Sequence, residues 1–132
     1  MKQTYLALLL MALTTAAMDG QAKSLNQCDN ISDDIAHSRC LDGVKEAVDR
    51  ELQTWINNQV FVLEERAMKT GRKSALNMFK RANSDFIKYR ENNCRWQYLA
   101  ISPASSASTA YKTCYINLSK SRITELSKLN SE

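Results

Sequence analysis

The chain has 132 residues, 44% of them hydrophobic and 24% charged, and a formal net charge of +4 at neutral pH. This length fits one domain rather than two, and the composition is that of an ordinary globular protein. Three glycines and one proline are too few for the many turns of an all-β fold, so the balance favours helices. The positive residues are spread along the chain, which argues against a nucleic-acid-binding protein.

Residues 1–22 have the pattern of an export signal. Lys2 forms a short positive start, and the apolar run from Tyr5 to Ala17 is too short to span a bilayer comfortably. Small residues allow cleavage after Ala22 or after Ala17. We favour Ala22 because cleavage there leaves a polar N-terminus on the mature protein. The alternative is that the segment is not cleaved and serves as a membrane anchor. No cysteine directly follows either point, so a lipid anchor is not expected, and the predicted location is periplasmic or secreted.

Residues 23–132 are expected to form a single domain that contains all four cysteines, Cys28, Cys40, Cys94 and Cys114. Export implies an oxidising environment, and four cysteines allow three pairings. We predict the bridges Cys28–Cys40 and Cys94–Cys114, because the members of each pair are close in sequence and flank a turn. A four-cysteine metal site is the alternative, but the spacing lacks the short Cys-x-x-Cys clamps of zinc sites.

Apolar residues recur every three or four positions in three segments, which predicts three main helices. The first helix runs from about Asp33, with Ser32 as its N-cap, to about Lys69, where Gly71 is a stop signal. Gly43 is a point at which this helix could break and leave a short N-terminal helix. Its expected buried stripe consists of Leu41, Val44, Val48, Leu52, Trp55 or Ile56, Gln59 or Val60, and Leu63.

The second helix is expected from Lys73 or Ser74 to about Leu99, and the third from about Ala110 to Leu129. A serine-rich loop over residues 101–109 lies between them. The second buried stripe consists of Phe79, Ala82, Phe86, Tyr89 or Arg90, and Cys94. The third consists of Tyr111, Cys114 or Tyr115, Leu118, Arg122, Leu126 and Leu129. Short connections make neighbouring helices antiparallel. The predicted fold is therefore all-α, an antiparallel bundle of three main helices plus a short N-terminal helix, stapled by two disulfides and preceded by an extended segment over residues 23–31.

No group of residues points to catalysis. His37 is the only histidine, and there is neither a glycine-rich phosphate loop nor a nucleophile elbow. The adjacent carboxylates Asp33 and Asp34, like Glu64 and Glu65, point to different sides of a helix, unlike the acid and base of a glycosidase. We therefore predict that the protein is not an enzyme and that it has no catalytic, metal-binding or cofactor-binding residues.

Two arginines, Arg90 and Arg122, lie on or next to apolar stripes and need partners, because an unpaired buried charge is very costly. The candidate partners are Asp49, Asp85 and Glu125. We predict structural ion pairs made by Asp49, Arg90, Arg122 and Glu125. A site for an anionic ligand is the alternative.

Aromatic residues gather around the second hairpin, close to the serine-rich loop. Aromatic side chains next to a loop are typical of recognition surfaces. The candidate partner surface consists of Trp96, Tyr98, Ser102, Ser105, Ser106 and Tyr111. A second candidate is an acidic face made of Asp29, Asp33, Asp34 and Asp42.

Several spaced residues carry a resemblance to a known family. One helix has the series Phe79, Asn83, Phe86, Arg90 and Cys94. The matching downstream series is Cys114, Leu118, Ser119, Arg122, Glu125 and Leu126. The matching upstream series is Asp49, Leu52, Gln53 and Ile56, preceded by Cys28 and Cys40. This spacing resembles the LprI-type lysozyme inhibitor family of small exported four-cysteine helical domains, with departures at Gln53, Ile56, Asn83, Phe86 and a loop that contains Pro103.

The resemblance covers nearly all of residues 23–132 and implies a helical scaffold that binds lysozyme non-covalently at its acidic cleft and inhibits it. The alternative is a structural or accessory envelope protein that binds another periplasmic protein or a cell-wall fragment. The expected partner is a protein, without nucleic acid and without stable membrane insertion after signal cleavage. Because many lysozymes are basic, the charge of +4 gives no favourable long-range steering.

Overall fold

The computed structural model describes residues 25–129. The predicted signal segment, residues 1–22, lies outside the described residues, as do its two cleavage points after Ala17 and Ala22. The described chain consists of a 3₁₀ turn and three α-helices: Leu25–Gln27, then α1 (Asp34–Thr70), α2 (Ser74–Ile101) and α3 (Ala107–Leu129). The described residues contain no strand, so the predicted all-α fold with three main helices is confirmed.

Helix α1 has 37 residues and is therefore about 55 Å long. Its N-cap is Asp33, whose carboxylate accepts a hydrogen bond from the backbone N–H of Ala36 at 3.2 Å, so the prediction of Ser32 was wrong by one residue. The helix ends at Gly71, which has a left-handed φ of 71° and donates its N–H to the carbonyl of Ala67 at 2.8 Å. The predicted stop signal is confirmed, because glycine adopts this conformation without a Cβ clash.

The predicted break at Gly43 is wrong, because α1 continues through it. A glycine in a helix interior costs about 1 kcal/mol relative to alanine. Leu41 and Val44 on either side are fully buried, and their packing offsets that cost. The short N-terminal helical piece is instead the turn Leu25–Gln27, so the expected extended conformation of residues 23–31 is also wrong where the chain is described. The N–H of Cys28 donates to the carbonyl of Leu25 at 2.9 Å to close this turn.

The loop between α2 and α3 comprises residues 102–106 and is shorter than the predicted loop over 101–109. Helix α2 ends before Ser102, which precedes Pro103 and is thereby disfavoured in the helical conformation. Helix α3 begins at Ala107 rather than at about Ala110, because Ala107 is already buried against the bundle. Both connections in the bundle are short, which makes consecutive helices antiparallel.

The core lies where the inner faces of α1 and α3 meet. It consists of Cys28, Leu41, Val44, Val48, Leu52, Ile56, Ile116, Ile123 and Leu126. The predicted α1 stripe is confirmed, with Ile56 rather than Trp55 as its buried member. The predicted α3 stripe is confirmed in part, because Tyr115 and Leu126 are buried. Ile116, Ser119 and Ile123 are buried as well, while the predicted member Leu129 is 58% exposed. Because Ser119 is polar, a search for apolar residues alone does not find this part of the buried face of α3.

Helix α2 buries Leu76, Arg90 and Cys94 and leaves its other side in solvent. The choice between Tyr89 and Arg90 is thereby decided, because Tyr89 is exposed and Arg90 is buried. The predicted inward position of Ala82 is wrong, because this residue is exposed. No helix in the described part of the chain is both long and apolar enough to span a membrane.

Both predicted disulfides are confirmed. The bond Cys28–Cys40 has an S–S distance of 2.02 Å and fastens the N-terminal turn to α1. The bond Cys94–Cys114 has an S–S distance of 2.06 Å and joins α2 to α3 near the serine-rich loop. The alternative four-cysteine metal site is wrong, because all four sulfur atoms are paired.

Replacing both Cys94 and Cys114 by alanine is expected to lower the free energy of unfolding by about 3 kcal/mol. The bridge spans 20 residues of sequence, and a closed loop of that size restricts the unfolded chain by roughly this amount. Urea unfolding of the variant and of the oxidised wild-type protein measures the difference. A loss below about 1 kcal/mol would contradict the expectation.

Candidate functional site

A buried arginine joins all three helices. Arg90, on α2, is only 6% exposed, and its Nη1 donates to Ser119 Oγ on α3 at 2.8 Å. The same Nη1 lies 3.4 Å from Asp49 Oδ1 on α1. The guanidinium also stacks over the ring of Tyr115, 3.7 Å from the ring centroid. We call Arg90, Asp49, Ser119 and Tyr115 the arginine junction.

The partners of Arg90 are themselves held in place. The hydroxyl of Tyr115 donates to Asp49 Oδ1 at 2.9 Å, and Lys45 Nζ lies 3.3 Å from Asp49 Oδ2. The hydroxyl of Ser119 donates to the carbonyl of Tyr115 at 2.8 Å, which leaves its oxygen lone pairs for Arg90. Nη1 of Arg90 thus has a carboxylate and a hydroxyl partner, while the buried Nε of the same guanidinium has no hydrogen-bond partner. Because a carboxylate of the protein already binds the guanidinium, the junction fits an internal ion pair better than the alternative site for an anionic ligand.

The second arginine, Arg122, is bound within its own helix. Its Nη1 lies 2.7 Å from Glu125 Oε2, one helical turn further along α3. Its guanidinium lies 5.7 Å from the centroid of Phe86 on α2. The third candidate partner, Asp85, instead lies 3.9 Å from Lys88 on the solvent side of α2. Arg122 therefore contacts its neighbour helix through an aromatic ring rather than through a carboxylate.

Of the residues that could suggest catalysis, Asp33 and His37 lie one helical turn apart at the start of α1, and Glu64 lies about seven turns further along the same helix. Asp33 is occupied as the cap of α1, and Glu64 lies 3.3 Å from Lys80 at an exposed position. His37 lies near the start of α1, and no metal-binding group of three or more histidines, cysteines or carboxylates occurs among residues 25–129.

The structure separates the predicted partner surface into three parts. Tyr98 and Tyr111 face a shared groove between α2 and α3. Trp96, which is 59% exposed, lies about 200° around α2 from Tyr98, because successive helix residues differ by about 100°. Ser105 donates a hydrogen bond to Asp34 at the start of α1. Ser102 and Ser106 are exposed in the loop.

The groove between α2 and α3 holds about 400 Å³ and is lined by Glu91, Arg95, Tyr98, Leu99 and Tyr111. The hydroxyl of Tyr111 donates to Glu91 Oε2 across the groove at 2.7 Å. Sequence reasoning did not single out Glu91, Arg95 or Leu99. The available signal was the i,i+4 spacing that places all three on one side of α2.

A second groove, of about 450 Å³, lies at the opposite end of the bundle beside the α1–α2 turn. Its lining residues are Glu64, Ala67, Met68, Lys73, Leu76 and Asn77. This groove has no aromatic lining residue. Aromatic and arginine side chains contribute most to protein-binding surfaces, so the groove between α2 and α3 is the stronger candidate.

The predicted acidic face is largely occupied by intramolecular contacts. Asp42 lies 2.7 Å from Lys112 on α3, and Lys112 also donates to the hydroxyl of Ser38 at 2.8 Å. Asp34 accepts from Ser105, and Asp33 caps α1. These carboxylates fasten the start of α1 to the loop and to α3.

Two tyrosines have raised pKa values. Burial and the hydrogen bond to Glu91 raise the pKa of Tyr111 from 10.0 to about 12. Burial and the hydrogen bond to Asp49 also raise the pKa of Tyr115. Both hydroxyls therefore remain protonated donors at neutral pH.

Replacing Arg90 by methionine is expected to lower the free energy of unfolding by about 2 kcal/mol, because Ser119 and Asp49 lose their charged donor. Urea unfolding measures the loss. Arg81→Met is the matched control, because Arg81 is exposed on the same helix and has no carboxylate partner among the described residues. Its replacement should change the free energy of unfolding by less than about 0.5 kcal/mol. An Arg90→Met variant as stable as the control would show that the junction is dispensable.

The raised pKa of Tyr111 predicts that the free energy of unfolding falls at alkaline pH. The folded state holds this proton more tightly than the unfolded state, so the contribution to stability is complete below pH 10.0 and disappears as the pH rises towards about 12. The Tyr111→Phe variant should lose stability less steeply over this window, as followed by urea unfolding at each pH. Equal slopes for the two proteins would rule out the expected role of Tyr111.

Comparison with known proteins places this chain in a family. Residues 24–126, most of the chain, match the sequence model of the family described as Lysozyme inhibitor LprI. Neither the curated proteins nor the solved structures gave a significant match. The matched range contains both disulfides, the arginine junction and the groove between α2 and α3. The chain therefore belongs to the lysozyme inhibitor LprI family.

Proposed function

We propose that this protein is exported and inhibits lysozyme by non-covalent binding. The observation that carries the proposal is the family match over residues 24–126. Export through the signal segment at residues 1–22 agrees with the two disulfides, since such bonds persist in oxidising compartments.

The scaffold suits an inhibitor because its candidate surface is held rigid before binding. The bridge Cys94–Cys114 and the arginine junction both join α2 to α3, and they lie one helical turn apart on α2. A surface that is already ordered loses little conformational entropy on association, so more of its contact energy becomes affinity. Trp96 and Tyr98 present exposed aromatic rings from this fixed framework.

The contact surface is proposed to lie at the α2–α3 end of the bundle and to use residues from the predicted set. Tyr98 and Tyr111 supply aromatic area from the groove, and Trp96 supplies it from the other side of α2. Tyr and Trp are enriched among the residues that dominate binding energy. Ser102, Ser105 and Ser106 are proposed to supply polar contacts at the rim.

A lysozyme assay tests the proposal. Oxidised protein in several-fold molar excess should slow the clearing of a bacterial cell-wall suspension by lysozyme, and it should also slow hydrolysis of a soluble chitooligosaccharide. The soluble substrate matters because a protein that merely coats the cell wall would protect only the suspension. Unchanged hydrolysis of both substrates would refute inhibition, and protection of the suspension alone would instead favour binding to a cell-wall fragment.

A further inference from the structure

The last two turns of α2 expose an arginine without a carboxylate partner. Arg95 is exposed, and no carboxylate among residues 25–129 lies within ion-pair distance of it. The expected partner would be Glu91, four residues earlier, because glutamate followed by a basic residue at i+4 is the favourable helix arrangement. Glu91 instead accepts the hydrogen bond of Tyr111 at 2.7 Å. Tyr111 thus binds the carboxylate that could otherwise pair with Arg95.

Apolar and aromatic side chains surround this arginine on the helix surface. With about 100° between successive residues, Tyr98 and Trp96 fall on either side of Arg95, and Leu99 lies one turn above it. Trp96 is 59% and Leu99 63% exposed. The indole N–H of Trp96 donates to Asn93 Oδ1 at 3.3 Å, which holds the ring in place. An arginine without a carboxylate partner that is flanked by exposed aromatic rings has the composition of a binding hot spot.

The charge of this patch complements a known feature of lysozyme-type enzymes. Retaining glycosidases carry two catalytic carboxyl groups about 5 Å apart in their cleft. A guanidinium is planar and always charged, and its five N–H donors can bond both groups at once. The acidic residues at the start of α1 would instead meet these carboxyl groups with charge of the same sign, and Asp34 and Asp42 are already bonded within the protein.

We propose that Arg95, flanked by Trp96, Tyr98 and Leu99, enters the catalytic cleft of lysozyme and bonds its two carboxyl groups. The proposal rests on the proposed function, since it names the part of the protein that performs the inhibition. Tyr111 is a positioning residue in this arrangement, because its hydroxyl binds Glu91, the carboxylate that could otherwise pair with Arg95.

Inhibition constants for hydrolysis of a soluble chitooligosaccharide by lysozyme test the proposal. Wild-type protein should compete with the substrate, and a trimer of N-acetylglucosamine that fills the cleft should displace it. Arg95→Ala should raise the inhibition constant at least roughly tenfold, and Arg95→Lys should fall between the two, because lysine lacks the planar fork. Arg81→Ala removes the same charge from an exposed position on the same helix, outside the patch, and should change the constant less than about threefold.

The positioning role of Tyr111 has its own signature. Tyr111→Phe should weaken inhibition by freeing Glu91 to pair with Arg95, and the added change Glu91→Gln should restore it. A purely structural role of Tyr111 would give no such rescue.

The outcomes separate the two proposals. If the wild-type protein inhibits but Arg95→Ala behaves like Arg81→Ala, or if the sugar trimer does not displace it, the role of Arg95 is overturned while the proposed function stands. If the wild-type protein does not inhibit at all, both fall. Thermal unfolding of each variant verifies that the exposed substitutions leave the fold intact.

Discussion

The hydrogen-bonded ion pair of Arg90 is the contact on which the relative placement of the three helices depends. One guanidinium meets Ser119 on α3 at 2.8 Å and Asp49 on α1 at 3.4 Å. A buried charge is costly wherever it lacks a partner, so any sliding of one helix along another would be penalised. We therefore expect the junction to favour one register of α2 against α1 and α3, because Asp49 and Ser119 offer acceptors to Arg90 at one level of the bundle.

This alignment of α2 against α3 also places the residues of the groove between the two helices, one turn away from the arginine junction. Cys94 follows Arg90 by one turn on α2, and Cys114 and Tyr111 precede the junction residues on α3, so the disulfide and the Tyr111–Glu91 hydrogen bond form side by side. Tyr111 takes the carboxylate that would otherwise neutralise Arg95. Within two turns of α2, the chain thus carries the buried, paired Arg90 and the exposed Arg95, which has no carboxylate partner among the described residues.

Much of the fold could be predicted from the sequence, because strong local signals agree with it. The α1 stripe is nearly pure aliphatic, Gly71 stops the helix through its left-handed φ, and each cysteine pair is close in sequence. The inward face of α3 could be predicted only in part, through Tyr115 and Leu126. Its central member, Ser119, is buried because Arg90 needs an acceptor there, and that need arises only when two helices meet.

The candidate site, too, could be predicted from the sequence only in part. The exposed aromatics near the serine-rich loop were visible in the sequence, but the separation of Trp96 from Tyr98 around α2, and the capture of Glu91 by Tyr111, depend on which face of each helix is buried. We propose that this folded, oxidised bundle binds lysozyme and does not transform a substrate. Calorimetric titration of lysozyme with the oxidised protein measures this binding, and we expect saturation at one inhibitor per enzyme. The absence of any binding heat, together with separate elution of the two proteins, would refute the proposal.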